Sequence, residues 1–250
     1  MTAIFHLIGK SIDRLFFQAY ALIIDSLLIL GSGRVKHCWI GAERHMARLP
    51  LKKKSGSAAD DIIRAAERLF GEEGVSSISL RHIATAASQV NNFAVQYHFG
   101  DKDGLIRAIF ERRLPFVENR RRHMLEAARP AGFDLEKLIE ATFRPIIEEV
   151  DENGRRSYAR FLAQIVNDKR SAHHWTEVRS LVPSVAEITQ EQARLCPALS
   201  KEKLVFRLQL VNILMLQAIY LADEDGCDAR AFEAKFMDAV RMAAAALGAP

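Results

Sequence analysis

The sequence predicts an all-α protein, with three short helices leading into a larger helical bundle. Three observations carry this. From Ser57 onward apolar residues recur at three- and four-residue spacing, as in Ile62, Ala66, Leu69 and Phe70, which is the period of one helix face. Two-residue alternation, the mark of a half-buried strand, is nearly absent. Residues suited to helix starts (Ser57, Ser79, Asp101) stand directly before the apolar runs.

A chain of 250 residues can bury a real core. Its 49% apolar and 26% charged residues describe a globular protein, not a disordered one. The net charge is only +4, so an anionic partner has to be met by local clusters. Cys38, Cys196 and Cys227 are scattered. That spacing fits neither a metal site nor a disulfide framework, and it suits the reducing cytoplasm. No metal or other cofactor is expected. GxSxG, GxGxxG, P-loop and HExxH patterns are absent, so no catalytic residues are assigned and an enzyme is not expected.

Residues 1–54 read as an N-terminal extension outside the folded core, apolar first and then basic. Leu15 to Leu30 is apolar except for Gln18, Asp25 and Ser26. At 16 residues it falls short of the roughly 20 that span a bilayer, and no small-residue cleavage site follows. Membrane tethering through 15–30 remains the alternative. Met46 is a second candidate start. Arg44, Arg48, Lys52, Lys53 and Lys54 form an acid-free run, either a solvated arm or one that neutralises phosphates.

The first helix starts at Ser57, where Ser57-x-x-Asp60 resembles a capping box, and Gly71 and Gly74 mark its exit. Ser79 caps a second helix whose Leu80, Ile83, Ala84 and Ala87 share a face. Ser88-Gln89 interrupts, and Val90 begins a third helix. On it Val90 and Ala94 line one face, while Asn92 and Gln96 line another beside Asn91. Three short helices with a tight turn describe a helix-turn-helix unit. Spacing alone leaves two readings of the third helix open: a base-reading helix, or a polar helix in any small bundle.

Gly100-Asp101 ends that helix and caps the next. Residues 108–128 read as one long helix that Pro115 can bend, with Arg120-Arg121-Arg122 as a solvated face. Further helices are expected over 134–150, kinked at Pro145, over 158–166, and over 184–195. The segment 203–222 is apolar on nearly all sides and is expected to be buried on nearly all sides. In 230–247, Phe232, Phe236, Val240, Ala243 and Leu247 form a stripe. Two such helices at the end of the chain suggest a subunit interface.

The run "AADDIIRAAERLFGEEGVSSISLRHIATAASQVNNFAVQYHFGDKDGLIRAIFERR" resembles the DNA-binding domain of the tetracycline-repressor (TetR) family of bacterial regulators. Ala65-Ala66, Leu69-Phe70, Gly74, Ser79, Ile83-Ala84, Ala87, Tyr97-His98-Phe99, Lys102 and Leu105 carry the likeness in order. It departs from the commonest pattern in three ways. Ser88-Gln89-Val90 stands where Gly-Val-Ser is usual, the stretch from Ile83 to Phe99 is one residue longer, and Phe93 replaces a small residue.

The resemblance implies a DNA-binding domain over 55–115 and a ligand-binding, dimerising domain over 116–250. It implies base or nearby phosphate contacts for Asn91, Asn92 and Gln96, with Phe93 against a thymine methyl. Tyr97, His98 and Lys102 would hold backbone phosphates, helped by Ser79 and Arg81. It further implies a homodimer through 200–222 and 230–247 on a roughly palindromic double-stranded operator. An unidentified small-molecule effector would bind in the C-terminal body and release the repressor from DNA; an activator is the other sign of regulation. Phe143, Phe161, Gln164 and Trp175, with Arg144, His173 and His174 nearby, are pocket candidates, although aromatics at helical spacing also serve as core.

Overall fold

The computed structural model describes residues 58–89, 91, 93–167 and 182–249. Among them are nine α-helices and no strand. The head holds α1 (Ala58–Glu73), α2 (Leu80–Ala86) and α3 (Ala94–Phe99). α4 (Lys102–Ala128) leads out of it into the body, made of α5 (Leu135–Ile147), α6 (Ser157–Asn167), α7 (Pro183–Leu195), α8 (Lys201–Glu224) and α9 (Ala229–Gly248). The N-terminal extension, with its apolar and basic stretches, lies outside the described residues.

Side-chain caps set many of the helix starts. Ser79 accepts from His82 N–H at 3.1 Å, Asp101 from Gly104 at 2.8 Å and Asp134 from Lys137 at 2.8 Å. Ser200 and Asp228 do the same for α8 and α9. Each satisfies an amide that has no partner inside its helix, an effect worth about 1 kcal/mol.

One apolar core runs from Ile62 in the head to Leu247 in α9. Its centre is aromatic: Phe161 of α6 lies 6.3 Å from Phe70 of α1 and 5.6 Å from Phe110 of α4, ring centre to ring centre. The head is thus docked on the body through α1 against α6. α4 crosses residue 115 without a break and lends side chains to both sides. Pro115 sits inside it, exposed, and the helix is one 27-residue unit from Lys102.

Four expectations need correction. Gly71 does not mark an exit: it is buried within α1, where a Cβ would lie 3.0 Å from both Arg160 Cβ and Phe161 N. Its lack of a side chain lets α1 and α6 approach closely. The arginine cluster is not uniformly solvated either. Arg120 pairs with Glu148 at 2.8 Å, and Arg121 is buried, donating to the Thr142 carbonyl at 3.0 and 3.1 Å. The third helix does not begin at Val90, which lies outside the described residues, but at Ala94. Finally, α8 buries Leu204, Leu208, Met215 and Ile219 but leaves Phe206, Leu210, Ile213 and Leu221 between 40% and 55% exposed. Among the described residues nothing covers this apolar stripe, and Met242 of α9 is exposed as well.

Candidate nucleic-acid interface

The turn between α2 and α3 is built by backbone geometry. Ser88 N–H donates to the Thr85 carbonyl at 3.0 Å and Gln89 N–H to the Ala84 carbonyl at 2.9 Å. This pair of bonds ends a helix when the intervening residue is left-handed, and Ser88 has φ 55°. Glycine usually fills that place, so the serine departure noted in the sequence falls at the strained residue of the turn.

Asn91 starts α3 from outside it. Its Oδ1 accepts from Phe93 N–H at 2.9 Å and its carbonyl from Ala94 N–H at 3.0 Å. Asparagine side chains favour such turns because they mimic a backbone carbonyl. Asn92 lies outside the described residues. Ala94 and Val95 are buried and anchor α3 on the head, and Gly100 ends it with φ 76°.

The opposite face of α3 points to solvent. Phe93 is 72% and Tyr97 84% exposed, with Gln96 and His98 also open. The Tyr97 and His98 rings meet edge to face at 5.2 Å. Exposed aromatic side chains beside an amide and an imidazole give a surface that can donate, accept and make apolar contact. That is the chemistry a major-groove floor and its flanking phosphates present.

α2 adds Arg81, with His82 and Thr85 exposed beside it. Ser79 is the α2 cap, so its oxygen already holds the His82 amide. Lys102 reaches back from the start of α4 to the Val75 and Ser76 carbonyls, at 2.9 and 3.5 Å. Its charge would be unfavourable at a helix N-terminus, and the two carbonyls hold it. The structure therefore brings Arg81, Asn91, Phe93, Gln96, Tyr97 and His98 together, while Ser79 and Lys102 are engaged within the head. His82 and Thr85 were not singled out in the sequence; a helix-facing pattern of α2 marks both as outward.

Charge pins the head to the body. Glu67 of α1 is buried and accepts from Arg113 of α4 and from Ser157 Oγ of α6; Arg113 also meets Glu149. Burial works against the Arg113 charge, but the bonds to Glu67 outweigh it and raise its pKa.

The expected effector residues scatter. Phe143 and Phe161 are core side chains, Phe161 enclosed by Phe70, Phe110 and Tyr158. Gln164 is half-buried beside Gly74. Arg144 bridges Glu140 and Glu233 over the Phe236 ring. His173, His174 and Trp175 lie outside the described residues. An open cleft of about 720 Å³ lies elsewhere, lined by Glu72, Asn153, Arg155, Arg160, Tyr220 and Glu224. Only Tyr220 and Glu224, four apart on α8, share a helix face; the other four come from α1, α6 and the loop before α6.

Residues 62–109 match the family model described as bacterial regulatory proteins, tetR family. Residues 140–247 match that of the tetracyclin repressor-like C-terminal domain. No curated protein matches the chain significantly.

Proposed function

We propose, from the premise that this chain belongs to the TetR family of DNA-binding transcriptional regulators, that it is a cytoplasmic, dimeric repressor released from its operator by a small molecule. The observation that carries the DNA side is α3: Ala94 and Val95 hold it to the head while Phe93, Gln96, Tyr97 and His98 face outward. A six-residue helix reaches few base pairs, so affinity comes from phosphate contacts around it and specificity from Gln96, Asn91 and Asn92.

Dimerisation is supported by the stripe Phe206, Leu210, Ile213 and Leu221, which no described residue of the chain covers. Pairing two copies through α8 and α9 buries it. A two-fold dimer then places two α3 helices on half-sites separated by whole helical turns. α8 is also long and apolar enough to cross a membrane, but it packs on α6 and α9 as a core helix does.

Mapping the chain's sites across its genome, followed by gel shifts on the recovered sequences, tests the reading. The expected result is a short two-fold symmetric motif bound by a dimer. Recovery of no shared motif would overturn it.

A further inference from the structure

We propose that Phe93 reads the C5-methyl group of a pyrimidine in the major groove, thymine and 5-methylcytosine alike, so that operator affinity answers to cytosine methylation at that place. This rests on the function proposed above and names one chemical group that the reading helix selects.

Phe93 stands directly before α3. It is 72% exposed and lies outside both the apolar core and the half-buried side chains packed on that core. Phe99, at the other end of the same helix, does pack on it. One phenylalanine is thus spent on the fold, while the other is held out in water and gains nothing from burial. The backbone of Phe93 is fixed on both sides. Its N–H donates to Asn91 Oδ1 at 2.9 Å, and its carbonyl accepts from Tyr97 N–H at 2.8 Å. Ala94 and Val95 follow as the buried anchors of the helix. The ring therefore projects from a rigid mount, and little backbone freedom is lost when it meets a partner.

Chemistry limits what that partner is. A phenyl ring has no hydrogen-bonding group, so it offers nothing to phosphate oxygens or to the polar edges of bases. In an intact duplex, stacking closes the flat faces of the bases. The pyrimidine C5-methyl is the apolar group that the major groove presents, and the leading residues of a recognition helix are those that reach base edges. Thymine carries this methyl beside a carbonyl oxygen, and 5-methylcytosine carries it beside an amino group. Phe93 treats them alike, because only the methyl offers it contact. The hydrogen-bonding atoms of neighbouring edges are left to Gln96, which is also exposed on α3.

The test is a series of gel shifts with the full chain on its recovered operator. Each thymine is replaced in turn by uracil, which removes the methyl and nothing else. One position in each half-site is expected to weaken binding about fourfold, the effect of burying a single methyl-sized group. A cytosine placed there should be bound about fourfold more tightly once methylated at C5. Phe93→Ala should bind thymine and uracil operators equally and ignore the cytosine methyl. Its melting temperature should match the parent's, since the ring it loses is exposed. Any of three results overturns the proposal: no thymine methyl matters, Phe93→Ala keeps the full preference for thymine over uracil, or Phe93→Ala changes the oligomeric state because the ring belongs to a protein contact. An operator bound with indifference to every methyl sinks this assignment alone. The absence of any preferred sequence sinks the regulator reading, and this assignment with it.

Discussion

Glu67 and Arg113 meet through two parallel hydrogen bonds, Nη2 to Oε1 at 2.6 Å and Nε to Oε2 at 2.7 Å. Their side chains are 4% and 14% exposed, so the pair is largely out of water. It joins α1 to α4, and Ser157 extends it to α6. Three helices are held at one point, where the head meets the body.

Removing Glu67 takes from the largely buried Arg113 its two-bond partner and leaves it only Glu149, which is 47% exposed. Glu67→Ala should therefore cost about 3–5 kcal/mol of stability, well beyond an exposed ion pair. Urea denaturation at fixed protein concentration reads this, since a dimer's midpoint moves with concentration. A loss under about 1 kcal/mol would mean that water reaches Arg113 and that the pair does not pin the head.

Gly71 lets α1 lie against α6. In Gly71→Ala the new methyl would meet Arg160 Cβ and Phe161 N at 3.0 Å, and neither atom is the free end of a flexible chain. The helices must separate, at a cost of about 1–3 kcal/mol despite alanine's better helix propensity. An unchanged denaturation midpoint would show that the two helices have slack between them.

Ser88 gives the opposite sign. With φ 55° it occupies a conformation that disfavours side chains bearing a Cβ, and its neighbours' hydrogen bonds hold it there. Ser88→Gly should raise stability by about 0.5–1 kcal/mol, the relief of strain being partly offset by the freer unfolded chain. A destabilised Ser88→Gly would show that the serine hydroxyl contributes more than the strain removes.

Much of the head was legible because its signals are local. Ser79 and Asp101 act on amides three residues ahead, and the Ile83-Ala84 face is a matter of period. What escaped depends on distant partners. Arg121 reads as a surface residue until α5 brings the Thr142 carbonyl to it, 21 positions along the chain. Gly71 reads as a helix stop until α6 lies across it. The exposed stripe of α8 has the same composition as its buried face, so hydropathy could not divide them. Asn91 is a further case: its turn preference and its base-reading chemistry are both properties of one amide, and the fold shows Oδ1 spent on the Phe93 N–H.

The Arg144 network adds a dependence on pH. The hydrogen bond from Arg144 holds the Glu233 carboxyl below its ordinary value of 4.5, against a smaller effect of burial. A carboxyl depressed in the folded state contributes stability above its unfolded pKa and loses it as pH falls through the folded pKa. Glu233→Gln should thus lower stability near neutral pH, with the penalty fading once the pH is well below 4.5. Glu233 is about half exposed (48%), so solvent screening keeps the effect small. Paired urea titrations at neutral and acidic pH measure the fading difference, and a penalty constant across pH would remove the ion pair as its cause.

Under the proposed function, Gln96 and Tyr97 would separate the two components of DNA binding. Both side chains are exposed on α3, so substitutions there leave the fold intact while Ala94 and Val95 keep the helix anchored. Gln96 has an amide that can donate and accept on one base edge. Gln96→Ala should weaken binding to the operator by about 1–3 kcal/mol while sparing random DNA. Tyr97 presents a hydroxyl at the far end of the helix, suited to a phosphate oxygen that every sequence offers. Tyr97→Phe should therefore weaken operator and random DNA by the same factor. It should leave the slope of affinity against salt unchanged, because a neutral hydroxyl releases no counterion. Gel shifts on both DNAs across a salt series decide the matter. If Gln96→Ala weakens both DNAs equally, Gln96 holds the backbone and not a base, and the reading register shifts toward Asn91 and Phe93.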